Sequence, residues 1–277
     1  MVRYPYFKQK CTSLNDFLGK VDSLVNNGWM FRGQKNGSWE LKTSFERACG
    51  QFNVPQNKKR QVETNMIREF QRRVHQYERF SPNDDDECLA LMQHHGAPTR
   101  LLDFTYSPHV AAYFAFEAAE PKSKVAIWAI NYEWCKEHLK EIANHLYKEY
   151  KSYRDIRNGK DFKLIFRTRR FEKFLLSVTP LRMNERLSYQ RGVFLCPGDI
   201  ETNIMDTLTN YTEMKDLKNK VRKYIIPTGE NNEVTIEALQ ALDIMNISRI
   251  TLFPGLDGFA QSFATRIHPL FLRQGGH

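Results

Sequence analysis

The stretch QHHGAPTRLLDFTYSP, residues 93–108, brings two imidazoles, a guanidinium, a carboxylate and several hydroxyls together around Gly96 and Pro98. A segment that serves only to pack a core has little use for so many hydrogen-bonding groups. A pocket for a polar, charged ligand uses such groups to hold and orient what it binds. The stretch therefore predicts a binding site, around which the rest of the fold can be placed.

Helix signals flank this polar stretch on both sides. Acidic residues 84–87 begin one predicted helix, which Gly96 and Pro98 would end. Ser107 and Pro108 have the pattern of an N-cap and a first helical residue, and the alanine-rich run after them is apolar nearly all round. We therefore expect a loop that links two helices and ends at a helix N-terminus, where backbone N–H groups suit a phosphate.

Length and composition indicate one folded domain. The chain has 277 residues, 41% of them hydrophobic and 13% aromatic, which is enough for a substantial core. Segments with helical and strand-like patterns are mixed without repeats or linkers, so we expect a single α+β domain with helices around an irregular, mostly antiparallel sheet. Helices are predicted at about 14–25, 58–80, 133–150 and 236–244, and strands at about 29–31, 125–130, 177–179, 193–195 and 224–226.

Charge and cysteine content bear on partners and compartment. The net charge of +9 and the pI near 9.2 suit a protein that contacts a polyanion. Five cysteines are scattered without a C-x-x-C pair, which favours reduced thiols and argues against a metal site. No apolar leader or membrane-length segment is present, so we expect a cytoplasmic protein without a membrane partner.

Basic clusters point to nucleic acid as that polyanion. They lie at residues 58–60, 72–73 and 167–170, and Arg167, Arg169 and Arg170 are flanked by two phenylalanines, an arrangement that suits base stacking beside phosphate contacts. Each cluster alone is better explained as a solvated surface. Together with the net charge they favour RNA or DNA over a protein as the macromolecular partner.

Two short motifs elsewhere are candidates for the same pocket. Arg32 follows an apolar strand and precedes Gly33, so a rigid cationic fork would project where the backbone can be approached closely. Gln190 precedes a predicted strand and can hydrogen-bond a ribose hydroxyl or orient a nucleophile. Structural explanations stay open for both, because Arg32 can pair with a carboxylate at the core edge and Gln190 can be an ordinary strand-entry residue.

The polar stretch itself also has structural alternatives. Thr105 and Ser107 can order their own loop through backbone hydrogen bonds, Asp103 can hold Arg100, and either histidine can cap the preceding helix. One loop rarely needs all of these roles at once. The interpretation as a binding site is therefore preferred.

Taken in order, these motifs resemble the FRG domain, whose Phe-Arg-Gly motif corresponds to residues 31–33. The other matching segments are QHHG at 93–96, PTRLLD at 98–103, the continuation from 105 to 115, QRGVF at 190–194 and LFPGLDG at 252–258. The resemblance extends over about residues 15–265, which identifies residues 1–277 as a single FRG domain.

The motif order of this family is in turn similar to that of NAD-dependent ADP-ribosyltransferases of the arginine–serine–glutamate kind. That resemblance implies a split sheet of the ADP-ribosyltransferase type and NAD as co-substrate, with Arg32 on the pyrophosphate and the 105–107 corner bracing the nicotinamide-side ribose. The residues predicted to bind NAD are Arg32, Gly33, Thr99, Arg100, Thr105 and Ser107.

One departure from those enzymes concerns their catalytic glutamate, whose position is occupied by Gly192. A carboxylate there stabilises an oxocarbenium-like state, and losing such a group costs about 2.7–4 kcal/mol. Either another carboxylate takes its place, for which Asp103 is preferred over Glu87 and Glu185, or the domain binds without reacting. The predicted catalytic residues are Asp103, Gln190, His94 and His95, with a histidine as base for the acceptor.

The function predicted from these observations is transfer of ADP-ribose from NAD to RNA or DNA. The resemblance implies a toxin or phage-defence effector, for which an antitoxin or regulatory protein would be a partner. Two alternatives stay open. One is a non-catalytic nucleotide- or nucleic-acid-binding module, and the other is a metal-independent nuclease that uses His94, His95 and Arg100.

Overall fold

A seven-stranded sheet runs through the part of the chain that the structure describes, which is residues 4–78, 82, 85–146, 173–179, 185–209 and 214–267 of a computed structural model. The strands are β1 (Phe7–Lys10), β2 (Trp29–Gln34), β3 (Leu102–Thr105), β4 (Lys124–Asn131), β5 (Leu175–Val178), β6 (Gly192–Pro197) and β7 (Val221–Pro227). Their order across the sheet is β1-β7-β4-β2-β3-β6-β5, and each neighbouring pair is antiparallel except β1 with β7. The predicted mostly antiparallel sheet is confirmed.

Helices connect and cover these strands. Within the described ranges they are α1 (Leu14–Val21), α2 (Ser44–Gln51), α3 (Lys59–Arg73), α4 (Asp85–His94), α5 (Pro108–Phe116), α6 (Tyr132–Leu146), α7 (Glu185–Tyr189), α8 (Ile204–Thr209), α9 (Met214–Lys220), α10 (Glu233–Ile244), α11 (Arg249–Leu252) and α12 (Leu256–Arg266). Short 3-10 turns follow α1 and α3 and precede α3. The combination confirms the predicted α+β class. Over the same residues, no helix is both long enough and apolar enough to cross a bilayer.

Strand β4 is buried on both faces, which explains its uninterrupted apolar sequence. Because side chains alternate across a strand, Trp128 and Ile130 pack into one core with residues of α3 and α4. Val125 and Ile127 pack into a second core with residues of α1, α5 and α10. The sheet therefore separates two hydrophobic cores.

The predicted start of α5 is confirmed. The Ser107 hydroxyl accepts a hydrogen bond from the Val110 backbone N–H at 3.3 Å, and Pro108 is the first helical residue. Helix α5 lies so close to β2 that a Cβ on Gly33 would be 2.0 Å from the Ala111 carbonyl oxygen. The absence of a side chain at Gly33 is therefore required by helix packing.

The prediction that the polar stretch is a loop between two helices is wrong for Leu102–Thr105, which forms β3. Leu102 and Phe104 are buried while Asp103 between them is exposed, and the four residues pair with β6. The strand pattern of β3 was hard to see in the sequence, because four residues contain only two repeats of the apolar–polar alternation.

Strands β2 and β3 are joined by a single residue pair, Phe31 with Thr105, whereas β2 and β4 share six pairs. The two strands part beyond Phe31, and the Arg32 side chain reaches across to β3. The seven strands still form one sheet, and the finer expectation of a split sheet of the ADP-ribosyltransferase type stays a prediction.

All five cysteines are buried, and none forms a disulfide. Burial raises the pKa of Cys11 to about 11 and the pKa values of Cys88 and Cys135 to about 12. The thiols are therefore protonated at neutral pH, and their role in the fold is packing.

Candidate functional site

A cleft of about 960 Å³ opens where β2 and β3 part. Its walls come from these two strands, the end of α4, helix α5, residues 185–190 and the corner formed by α11 and α12. Seven of the ten residues predicted for NAD binding or catalysis line it, namely Arg32, Gly33, His94, His95, Asp103, Thr105 and Gln190. Segments far apart in sequence thus converge on one site.

Arg32 and Asp103 are in contact across the gap between β2 and β3. The Arg32 Nη1 donates to the Asp103 carbonyl oxygen at 2.7 Å and lies 3.6 Å from its carboxylate Oδ2. Arg32 Nε is buried without a hydrogen-bond partner among the described residues. Burial lowers the pKa of Arg32, and the charge of Asp103 opposes that shift. A cation with an unused donor therefore lies in the wall of the cleft.

One oxygen of the Asp103 carboxylate is hydrogen-bonded to a neighbouring side chain, while most of the Asp103 side chain is exposed to solvent. Its Oδ1 accepts from Gln93 Nε2 at 2.9 Å, and the Gln93 Oε1 accepts from the Thr99 hydroxyl. Its side chain is 62% exposed. The carboxylate is thus oriented by its neighbours yet can reach a ligand.

The structure does not place Thr99 among the residues that line the cleft, so its assignment to NAD binding stays a prediction without support from the cleft geometry. Thr99 is buried, and its backbone N–H donates to the Ser44 hydroxyl at 2.9 Å. Its own hydroxyl holds Gln93, which in turn holds Asp103. Thr99 therefore acts on the site only through two intervening side chains.

Arg100 is likewise buried away from the cleft. Its Nε donates to Glu63 Oε1 at 2.7 Å, its Nη2 pairs with the other carboxylate oxygen, and its Nη1 donates to the carbonyls of Pro197 and Gly198 at 3.1 and 3.2 Å. These contacts tie α3 to the end of β6. Arg100 is held by Glu63 and two carbonyls rather than by Asp103, and its assignment to NAD stays a prediction without support from this geometry.

The hydroxyls of Thr105 and Ser107 form hydrogen bonds with backbone groups. The Thr105 hydroxyl donates to the Gln190 carbonyl at 2.7 Å and accepts from the Ser107 N–H at 3.0 Å. Ser107 is buried as the N-cap of α5 and does not line the cleft, so its assignment to the ribose stays a prediction without support from this geometry. Of the three hydroxyl-bearing residues at 105–107, Thr105 lines the cleft, whereas Tyr106 and Ser107 are not among the lining residues.

The region of the missing glutamate is closed by packing. A Cβ on Gly192 would lie 2.3 Å from Leu187 Cδ1 and 3.2 Å from the Leu187 carbonyl oxygen, so a side chain at this position requires the Leu187 side chain on α7 to move. Gln190 is partly engaged, because its Nε2 donates to the Leu252 carbonyl at 3.0 Å. That bond joins the residue after α7 to the end of α11 and fixes the far wall of the cleft.

The two histidines lie at the C-terminal end of α4. Their rings are 4.9 Å apart in an edge-to-face arrangement, and His95 Nε2 is 3.4 Å from Glu78 Oε1. Burial lowers the pKa of His94, helped by the charges of His95 and Arg186. His94 is therefore neutral at physiological pH, the state in which an imidazole accepts a proton.

A cluster around Phe253 was missed in the sequence. The guanidinium carbons of Arg186 and Arg249 lie 4.4 and 4.3 Å from the Phe253 ring centroid, and Arg249 Nη1 is 2.6 Å from Glu117 Oε2. Burial raises the pKa of Glu117, and Arg249 opposes this shift. Phe253 belongs to the LFPGLDG motif at 252–258. The three charged residues, Arg186, Arg249 and Glu117, have no local sequence pattern that distinguishes them from surface positions.

Among the described residues, four carboxylates line the cleft: Asp103, Glu117, Glu185 and Asp257. Of the three considered as replacements for the missing glutamate, Asp103 and Glu185 are among them, whereas Glu87 is buried on α4 and is not. Among the described residues, no group of three potential metal ligands was found. Arg167, Arg169 and Arg170, predicted to contact nucleic acid, lie outside those residues.

Comparison with known families matches residues 27–124 to the FRG domain. The matched residues run from the turn before β2 to the start of β4 and include Arg32, both histidines, Asp103 and Thr105. The match is narrower than the predicted 15–265, because Gln190 and the 252–258 corner fall outside it. No curated protein and no solved structure matches the chain.

Proposed function

We propose that the cleft binds NAD and that the protein is an ADP-ribosyltransferase. The observation that carries the proposal is the Arg32–Asp103 pair, which places a partly buried guanidinium, 19% exposed, beside a carboxylate whose side chain is 62% exposed, where β2 and β3 part. Small-molecule sites span roughly 300–1,000 Å³, so a cleft of about 960 Å³ is at the upper end and suits a dinucleotide.

In this proposal Arg32 binds the pyrophosphate through charge-assisted hydrogen bonds. The Asp103 carboxylate faces the nicotinamide-side ribose, where it stabilises the positive charge that develops as the bond to nicotinamide breaks. Thr105 and Gln190 border the ribose on the opposite side. This orientation follows the motif order that resembles the arginine–serine–glutamate enzymes, in which the arginine is on an early strand, as Arg32 is on β2; the split sheet of those enzymes stays part of the proposal.

The acceptor in this proposal is RNA or DNA, in keeping with the net charge of +9. A toxin or phage-defence role, an antitoxin partner and a cytoplasmic location stay predictions. The nuclease alternative receives no support from the geometry, because its cation, Arg100, is buried against Glu63.

The test uses NAD labelled in its adenylate phosphate, mixed with the protein and single-stranded RNA, single-stranded DNA or protein. We expect label on nucleic acid, and an Arg32→Ala variant should bind NAD roughly ten- to hundred-fold more weakly, since hydrogen bonds to charged groups contribute about 1.5–3 kcal/mol. Arg47→Ala, an exposed arginine that does not line the cleft, is the matched control. Absence of both NAD cleavage and label transfer by the folded protein would refute the proposal.

A non-catalytic nucleotide-binding module is the second candidate, and the packing of Leu187 against Gly192 favours it. Position 192 carries no carboxylate, and a side chain placed there would require the Leu187 side chain on α7 to move. Calorimetry that shows NAD binding to the wild-type protein, with no nicotinamide released over long incubation, would select this function.

A further inference from the structure

A second cavity, of about 740 Å³, lies beside the cleft, between α3, the turn that follows it and α4. We call it the α3 groove. Met66, Phe70, Val74 and Met92 supply its apolar lining. Asn65, Glu69, Arg73 and Glu78 add polar groups, so an apolar body with polar edges fits it.

The α3 groove and the cleft share one residue, His95. Its imidazole is about half exposed, and its Nε2 is 3.4 Å from the carboxylate of Glu78, which lines the groove. A molecule in the groove and a molecule in the cleft would therefore meet at this histidine.

Aromatic surface and positive charge accompany the groove. Tyr77, which lines it, is 81% exposed, far more than a tyrosine that serves only packing. Arg68 and Arg72 are exposed and one helical turn apart, on the strip of α3 next to Asn65. Arg73 adds a third cation, paired with Glu69 at 2.7 Å.

Stacking surfaces beside cations that track a phosphate backbone are the features by which proteins hold single-stranded nucleic acid. An acidic or apolar peptide would not need the combination of an exposed aromatic ring and a strip of arginines. The exposed ring of Tyr77 and the arginines on the neighbouring strip of α3, outside the groove's own Glu69 and Glu78, therefore favour a nucleobase whose flanking phosphates lie along that strip.

We propose that the α3 groove binds a base of a single-stranded nucleic acid, with Tyr77 stacking on a base and Arg68 and Arg72 on the backbone. This inference deepens the proposed function, on which its chemical step rests. A nitrogen of the bound base bonds to the anomeric carbon of the NAD ribose, and the bond from that carbon to nicotinamide breaks. Nicotinamide leaves with the electron pair, and the proton displaced from the base nitrogen passes to His95.

The binding step is tested without NAD, by fluorescence anisotropy of labelled single-stranded RNA and DNA. We expect Tyr77→Ala to weaken binding about tenfold, in keeping with the contribution of base–aromatic stacking. The double variant Arg68→Gln, Arg72→Gln should reduce the slope of log affinity against log salt by about 1.4, since each phosphate contact on a single strand contributes about 0.7. Lys8→Gln, Lys10→Gln on edge strand β1 removes the same charge and is the matched control.

The outcomes separate this inference from the proposed function. Binding that depends on Tyr77 and the two arginines supports the groove even if NAD is neither bound nor cleaved. If the folded groove variants bind oligonucleotides as tightly as the wild-type protein does, the inference is overturned even if NAD is cleaved. Label transfer to protein alone, with none to RNA or DNA, overturns it as well. Circular dichroism and thermal unfolding establish that each variant is folded.

Discussion

Replacing Glu63 with glutamine removes the charge that pairs with the guanidinium of Arg100. Both side chains are almost fully buried, at 7% and 2% exposure, so little solvent can replace the lost partner. Breaking a buried ion pair from one side costs about 3–5 kcal/mol, because the remaining charge stays desolvated. Arg100 keeps its bonds to the carbonyls of Pro197 and Gly198, which places the expected loss for Glu63→Gln near the lower end, about 3 kcal/mol.

The assay is urea unfolding of the wild type, Glu63→Gln, Arg100→Met and the double variant Glu63→Met, Arg100→Met. Arg100→Met should destabilise at least as much as Glu63→Gln, because it leaves two carbonyls and a carboxylate without their donor. The double variant should recover part of the loss, since a buried pair replaced by apolar residues is often tolerated. NAD affinity of the folded fraction should not change. A large fall in NAD affinity without a fall in stability would refute the structural role of Arg100.

Three further outcomes are expected. Asp103→Asn should slow ADP-ribose transfer by about a hundred- to thousand-fold, while Gln93 still orients the side chain. Single-turnover kinetics with labelled NAD measures this rate. An unchanged rate would mean that another carboxylate, with Glu185 the next candidate, has the catalytic role. Burial lowers the pKa of His94, so as the pH falls the unfolded chain takes up the proton before the folded protein does. The free energy of unfolding should therefore fall as the pH drops through about 6.5, and this fall should be smaller in His94→Gln. Urea unfolding at several pH values measures it, and the same pH dependence in wild type and variant would contradict the reasoning. Ser107→Ala should lower stability by about 0.5–2 kcal/mol in thermal unfolding without weakening NAD binding, whereas weaker binding at full stability would return Ser107 to the site.

Local signals accounted for the elements that the sequence predicted well. The apolar run that becomes β4 could only be buried on both faces, and the Ser107–Pro108 pair marks the beginning of α5 through contacts within four residues. The predicted convergence of Arg32, Thr105 and Gln190 on one cleft is also found, although its basis was resemblance to a family rather than a local pattern.

Long-range pairing accounts for what was missed. Arg100 looks like a ligand-binding residue within its own motif, and its true partner, Glu63, is 37 positions away on another helix. The contact between Arg249 and Glu117 spans 132 positions. Single-sequence patterns report the residues within one or two turns, so a charge that is neutralised from a distant element cannot be distinguished from one that is available to a ligand.

The buried thiols have a practical consequence. A thiol reacts with an alkylating reagent as the thiolate, and in this fold both burial and a raised pKa suppress that form at all five cysteines. Labelling therefore proceeds only when the surrounding element opens. Cys49 on α2, Cys88 on α4 and Cys196 on β6 would each report the local opening of a different element, so mass spectrometry of alkylated peptides can map local unfolding without any engineered probe.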